Sequence, residues 1–209
     1  MVLGSFELDY PLALDWVAKS AIFLLRAVPA TVEVDPTLGS AGPFDSRTAS
    51  PPSSELGVEP LLRWLALEGR ARGASVALVL TSRCLVTGDL ALWTHVFGAA
   101  FHHPRHPCGS ALVTTAPLVS VASDGRLDVE RSRPRVVKEA LHELGHAVGL
   151  SHCVDPSCVM KFSATVAEVD AKAPKFCGAC LGELAASLAP PNAQPRSRAF
   201  RERPRPRVP

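Results

Sequence analysis

The residues best equipped for chemistry lie between His142 and Cys180. The first group reads His142-Glu143-Leu144-Gly145-His146-Ala147-Val148-Gly149-Leu150-Ser151-His152. Residues four apart on an α-helix stand one turn above each other. His142 and His146 can therefore aim a ring nitrogen at one cation, while Glu143, one position on, lies beside that cation and not on it. A water held there would be acidified by the metal and deprotonated by the carboxylate. The helix must stop for a third ligand to arrive, and Gly149 can end it at little cost in a left-handed conformation. The chain can then return His152 to the same point. Three neutral imidazoles and one open position form the donor set of a catalytic zinc.

The second group is made of cysteines. Four residues separate Cys153 from Cys158, two separate Cys177 from Cys180, and eighteen lie between the pairs. Two short-spaced pairs with such a spacer suit a closed site in which four thiolates hold a structural zinc. Two disulfides are the alternative, but nothing in the sequence points to an oxidising compartment. A redox dithiol at Cys177 and Cys180 lacks the βαβ setting that such a pair needs. Cys84 and Cys108 read as unpaired thiols.

HExxH alone occurs by chance in helices; the added glycine and third histidine complete the metzincin signature. The continuous pattern HExxHxxGxxHCxxxxCxM, followed by CxxC, resembles the archaemetzincins, a branch of the metzincin metallopeptidases. The likeness runs from His142 to Cys180 and takes in Met160-Lys161-Phe162-Ser163 and Val169-Asp170. It implies two zinc ions per chain, a catalytic one on His142, His146 and His152 and a structural one on Cys153, Cys158, Cys177 and Cys180. It also implies Glu143 as the base in hydrolysis of a peptide or protein substrate. Met160 would form the tight Met-turn beneath the catalytic site; by itself, a methionine there is a flexible core filler. The resemblance further implies an edge strand that pairs with extended substrate. Trp93–Phe101 is the candidate, with His95, Val96, Phe97 and Gly98 as substrate-binding residues and Gly98 permitting close backbone approach. An ordinary buried strand is the plainer reading of that segment. One departure stands out: many metzincins place a tyrosine just after the Met-turn, and the single tyrosine here is Tyr10.

The elements that position these groups follow from pattern. An amphipathic helix is expected between Pro11 and Pro29, a strand at Thr31–Asp35 and a loop over 36–52. A second helix is expected at Val58–Ala71 and a buried strand at Ser75–Thr81. Helix and strand alternating in this way imply parallel pairing through crossovers. Cys84–Leu92 reads as a connection, Trp93–Phe101 and Ala111–Val121 as strands, and Ser123–Arg126 as a turn. The catalytic helix is expected to start near Ser132–Pro134 with Ser132 as its cap, and a last helix at Gly178–Leu188. The fold class is α/β, a mixed, mostly parallel sheet flanked by helices. Residues 1–149 would form the first subdomain, 150–189 a small zinc-stapled one, and 190–209 a disordered tail.

Composition bounds the rest. In 209 residues, 47% are hydrophobic, enough for a sizeable core, and the formal charge is +2. The tail from Pro190 to Pro209 holds six arginines and one glutamate, so the remainder is mildly acidic. Such a tail suits electrostatic contact with RNA, and the competing functional class is a non-catalytic two-zinc module that binds protein or RNA through it. A solubilising appendage is the simpler reading of the tail. The segment His102-His103-Pro104-Arg105-His106 matches no regular metal spacing and reads as a solvated loop. The first ten residues contain Glu7 and Asp9 and no basic residue, unlike a secretory leader. Leu12–Val28 is broken by Asp15, Lys19 and Arg26, which does not suit a membrane span. A cytoplasmic location, without membrane contact, is the expectation.

Overall fold

The computed structural model of the chain describes residues 1–6, 12–24, 31–35, 38, 55–87, 94–102 and 108–188. The principal sheet contains β1 (Val2–Phe6), β2 (Glu33–Val34), β4 (Val76–Thr81), β7 (Gly98–Phe101) and β8 (Gly109–Thr114). A smaller sheet contains β3 (Glu55–Gly57), β5 (Cys84–Thr87) and β6 (Thr94–Val96). The helices are α1 (Leu12–Leu24), α2 (Val58–Ala71), α3 (Val129–Ala147), α4 (Val166–Ala171) and α5 (Gly178–Leu188).

Across the principal sheet the order is β2-β1-β4-β8-β7. Every pairing is parallel except that of β7, which runs antiparallel to β8 at the edge. Parallel strands need crossovers, and helices supply them on both faces. The central strands β4 and β8 therefore alternate between two buried surfaces and not between core and solvent. Leu78, Leu80 and Val113 face the layer of α1 and α3; Ala77, Val79 and Leu112 face α2. Every residue of β4 and β8 is buried. Buried side chains after α3, among them Val159, Met160, Phe176 and Leu184, join the core on the α1 and α3 face.

Several elements depart from the pattern reading. Cys84–Thr87, expected as connection, is a strand paired with β3 and β6. Trp93–Phe101, expected as one strand, contains two: the chain leaves the smaller sheet after Val96, bends at Phe97 and enters the principal sheet at Gly98. The strand expected over Ala111–Val121 spans Gly109–Thr114, because Ala116–Leu118 turns at Pro117 and Val121 makes only an isolated bridge to Leu127. α3, expected to start near Ser132–Pro134, begins at Val129, capped by Asp128, whose carboxylate accepts from the Arg131 N–H at 3.1 Å. Ser132 is buried one turn in, where its Oγ accepts from the Ser120 N–H at 2.8 Å. The loop read over 36–52 (apart from Leu38), His103 and His106, and the tail 190–209 lie outside the described residues.

Three groups on α3 fasten α4 to it. Arg135 grips Asp170 through Nε and Nη2 at 2.8 and 2.7 Å. Lys138 donates to the Val169 and Asp170 carbonyls, each at 3.0 Å, and so caps the end of α4. Glu139 pairs with Lys172 at 2.8 Å. At the start of α4, Thr165 and Glu168 form a reciprocal capping box.

Candidate metal centres and active-site cleft

The end of α3 is what brings the three histidines together. Gly149 adopts φ of 99°, a conformation that side-chain-bearing residues rarely take. The Gly149 N–H then donates to the His146 carbonyl and the Leu150 N–H to the Gly145 carbonyl, each at 2.9 Å. This is the Schellman closure of a helix. It also turns the Leu150 carbonyl back toward the helix, where it accepts from His146 Nδ1 at 2.8 Å. His142 Nδ1 donates to the Val159 carbonyl at 2.8 Å.

Those two carbonyls settle the tautomers. A carbonyl can only accept, so both Nδ1 atoms carry hydrogen. Burial pulls the His142 pKa down to about 3 and lowers that of His146, so both rings are neutral. Each Nε2 is then a bare lone pair, and the two face each other at 3.1 Å. Two acceptors so placed repel unless a cation lies between them. Ligand distances of 2.0–2.1 Å in a tetrahedron require nitrogens about 3.3 Å apart. His152 completes the group: its ring is 5.3 Å from His142 and 4.7 Å from His146 between centroids. One ligand atom from each of the three lies within 4.8 Å of the others. The donor set fits a zinc ion with a free coordination position.

Glu143 is not one of those ligands. Its side chain is buried beside them, and burial, then the Glu139 charge, raise its pKa to about 8, with Lys172 acting in the opposite sense. A carboxyl so desolvated favours its neutral form unless a cation stands near. Gly98 on β7 is what makes room for it. A Cβ at position 98 would stand 2.5 Å from Glu143 Cγ and 2.9 Å from Cδ and Oε1. Gly98 thus gives the Glu143 carboxylate its space. Met160 is fully buried beneath the histidines, its Sδ packed against Gly145 between them on α3.

The four cysteines also converge. Cys153, Cys158, Cys177 and Cys180 bring their sulfurs within 4.8 Å of one another. Cys153 Sγ lies 3.8 Å from Cys177 Sγ, far beyond the ~2.04 Å of a disulfide bond. Tetrahedral thiolates at 2.3 Å from zinc would be about 3.8 Å apart. All four are free cysteines. Backbone N–H donation from Cys180 heads the causes that bring the Cys177 pKa down to about 7, toward the thiolate, and the Cys177 N–H donates to Cys158 Sγ at 3.3 Å.

A cleft of about 790 Å³ opens onto the histidines. One wall is Val96, Phe97, Gly98, Ala99 and Ala100; the other is Phe162, Ser163 and Ala164. Of the expected substrate-binding residues, Val96, Phe97 and Gly98 thus reach the cleft, while His95 belongs to β6, paired with Val86. Spacing did not reveal Glu139, His102 or Phe162, which also line it. His102 Nδ1 donates to the Ala147 carbonyl at 3.2 Å. The Phe162 ring lies edge-on to His152, 5.2 Å between centroids.

Two solved structures share this architecture. The archaemetzincin of Methanopyrus kandleri is 30% identical, with a TM-score of 0.64 over 90% of this chain and 93% of that one. That of Archaeoglobus fulgidus, crystallised with malonate, is 26% identical, with a TM-score of 0.63 over 87% and 98%. Among curated sequences, an archaemetzincin of Methanopyrus kandleri is 45% identical over 111 residues, 53% of this chain and 56% of the relative. One from Aeropyrum pernix is 56% identical over 50 residues, 24% and 27%. The aligned stretch thus spans about half or less of these two curated relatives. The family model for Peptidase family M54 matches residues 117–186. The chain belongs to the archaemetzincins, Peptidase family M54.

Proposed function

We propose that the chain is a zinc-dependent peptidase that cuts peptide bonds in the cleft between β7 and the Phe162–Ala164 wall. The observation that carries this reading is the pair of bare Nε2 atoms of His142 and His146 facing each other at 3.1 Å. Zinc held by His142, His146 and His152 would polarise the scissile carbonyl and acidify water. Glu143 is the base that takes a proton from the attacking water and hands it to the leaving amine. Its carboxylate is buried, so proton transfer is shielded from bulk solvent. Cys153, Cys158, Cys177 and Cys180 would hold a second zinc, which would fasten the loop that carries Val159 and Met160.

Substrate binds extended along β7, whose other edge is taken by β8. Main-chain hydrogen bonds from the strand supply affinity; Gly98 contacts substrate from β7 itself, Phe97 from the bend before it, and Val96 and His95 from the end of β6. No helix among the described residues is long and apolar enough to cross a membrane.

The test is hydrolysis of a mixed-sequence quenched peptide pool by the zinc-loaded chain and by Glu143→Gln. The expected result is a loss of about 10²–10⁴-fold in kcat, with zinc content unchanged. Hydrolysis that survives the substitution would remove Glu143 from the reaction.

A further inference from the structure

We infer that Lys172 is a positioning residue that sets the width of the cleft, joining its second wall to the catalytic helix through one buried ammonium group. The inference rests on the peptidase reading of the site. Lys172 follows α4 directly and is 2% exposed. Its Nζ lies 2.8 Å from Glu139 Oε1 and donates to the Lys161 carbonyl at 3.2 Å. Glu139 lines the cleft from α3, one turn before Glu143. Lys161 immediately precedes Phe162, Ser163 and Ala164, which line the cleft from the other side. One cation therefore touches both walls.

The neighbouring bonds do not duplicate this. Arg135 and Lys138 hold α4 itself, through Asp170 and the Val169 and Asp170 carbonyls. Neither bonds to the 161–164 segment directly: α4 holds the end of that segment, where the Ala164 N–H donates to Glu168 at 2.7 Å, and Lys172 holds its start at the Lys161 carbonyl. A buried ion pair contributes little net stability over an apolar pair of similar volume. Geometry is what an apolar pair cannot reproduce: the ammonium is held by charge to Glu139 and by a hydrogen bond to the Lys161 carbonyl, on separate segments. The wall that it fixes still has surfaces to offer. Phe162 is 56% exposed although large and apolar. An exposed apolar ring on that wall suits a peptide ligand, with a side chain packed on the ring.

The experiment separates positioning from folding. The peptide that wild type cuts best in the mixed pool serves as probe for Lys172→Met and for the paired variant Lys172→Met with Glu139→Met. The single variant leaves a buried carboxylate uncompensated, and its Tm falls; the paired variant removes both charges and recovers Tm. KM is expected to rise about tenfold in both, with kcat of the paired variant within about threefold of wild type, because the opposed charges that Glu139 and Lys172 place beside Glu143 leave together; the single variant, which keeps the Glu139 charge alone, also loses kcat. Direct binding of the same peptide to each variant in a Glu143→Gln background gives the same ratio without turnover. A paired variant that recovers wild-type KM along with Tm would show that the pair is structural only and overturn the inference. So would failure of both variants to fold, which would place Lys172 in the core alone. Absence of hydrolysis by wild type would instead refute the peptidase reading.

Discussion

An alanine at position 98 is expected to disable the reaction while leaving the metal content intact. The added methyl would stand 2.5 Å from Glu143 Cγ and 2.9 Å from its Cδ and Oε1. Carbon atoms rest about 3.5–4.0 Å apart, so something must move by about 1 Å. β7 has little freedom to retreat. Gly98 is paired with Val113, and the adjoining Phe97 carbonyl accepts from the Thr114 N–H at 2.9 Å. Cγ is close to the helix backbone, so the strain is relieved by turning the whole Glu143 side chain. Overpacking of this kind costs about 1–3 kcal/mol of stability. A displacement of about 1 Å in a catalytic group costs about 10²-fold in rate, or ~2.7 kcal/mol of barrier. The assay compares kcat/KM, zinc content and urea unfolding for wild type and Gly98→Ala. A folded, zinc-replete variant within about threefold of wild-type kcat would refute the argument that Gly98 fixes the catalytic carboxylate.

Two further outcomes are expected. With the histidine site stripped of metal, Glu143 has a folded pKa of about 8 against an ordinary 4.5. A raised carboxyl pKa means stability that is fully present below the unfolded value and is lost as pH rises through the folded one. The stability difference between wild type and Glu143→Gln, in which other groups cancel, should fall by about 1.4 kcal/mol per pH unit between about 4.5 and 8. Urea titrations at several pH values measure it, and a flat difference contradicts the buried, cation-dependent carboxylate. Zinc stoichiometry is the second: about two per chain in wild type and about one in His146→Ala. Cys177→Ser should lose one outright and weaken the other about 10–100-fold. Equal retention of both ions in Cys177→Ser would remove the thiolate site.

The site was legible where its geometry is local. His142, Glu143 and His146 lie on one helix, and Gly149 must end it for His152 to return; spacing alone carries that information. Residue type carried the cysteine cluster, because four thiolates in two short pairs have few other uses. The fold class could be read from helix–strand alternation, and α2 and α5 took their expected bounds. What could not be read depends on partners far along the chain. β5 is a strand because β3 and β6 flank it, and the break at Phe97 exists because two sheets compete for one segment. The start of α3 shows two cap signals in rivalry: Asp128 won because Ser132 is needed inside, bonded to Ser120. Lys172 and Glu139 are 33 positions apart, and no periodicity links them. β1 went unread because its segment was judged only for charge.

The two proposed metal sites are best understood as one construction. His152 and Cys153 are consecutive, so the chain passes from one donor set to the other without a spacer. The Val159 carbonyl that orients His142 lies between Cys158 and Met160. Met160 packs on the helix between the two histidines, while its carbonyl accepts from the Cys153 N–H at 2.9 Å. The loop held by the thiolates is therefore what supplies the outer hydrogen bond and the floor of the histidine site. Dependence between them runs chiefly one way. Losing a histidine would leave four sulfurs able to hold the loop, but losing a cysteine would free the carbonyl that fixes the His142 tautomer. A metal ligand without its outer partner is poorly oriented and less basic, which is why the cysteine variant is expected to harm both sites and the histidine variant only one.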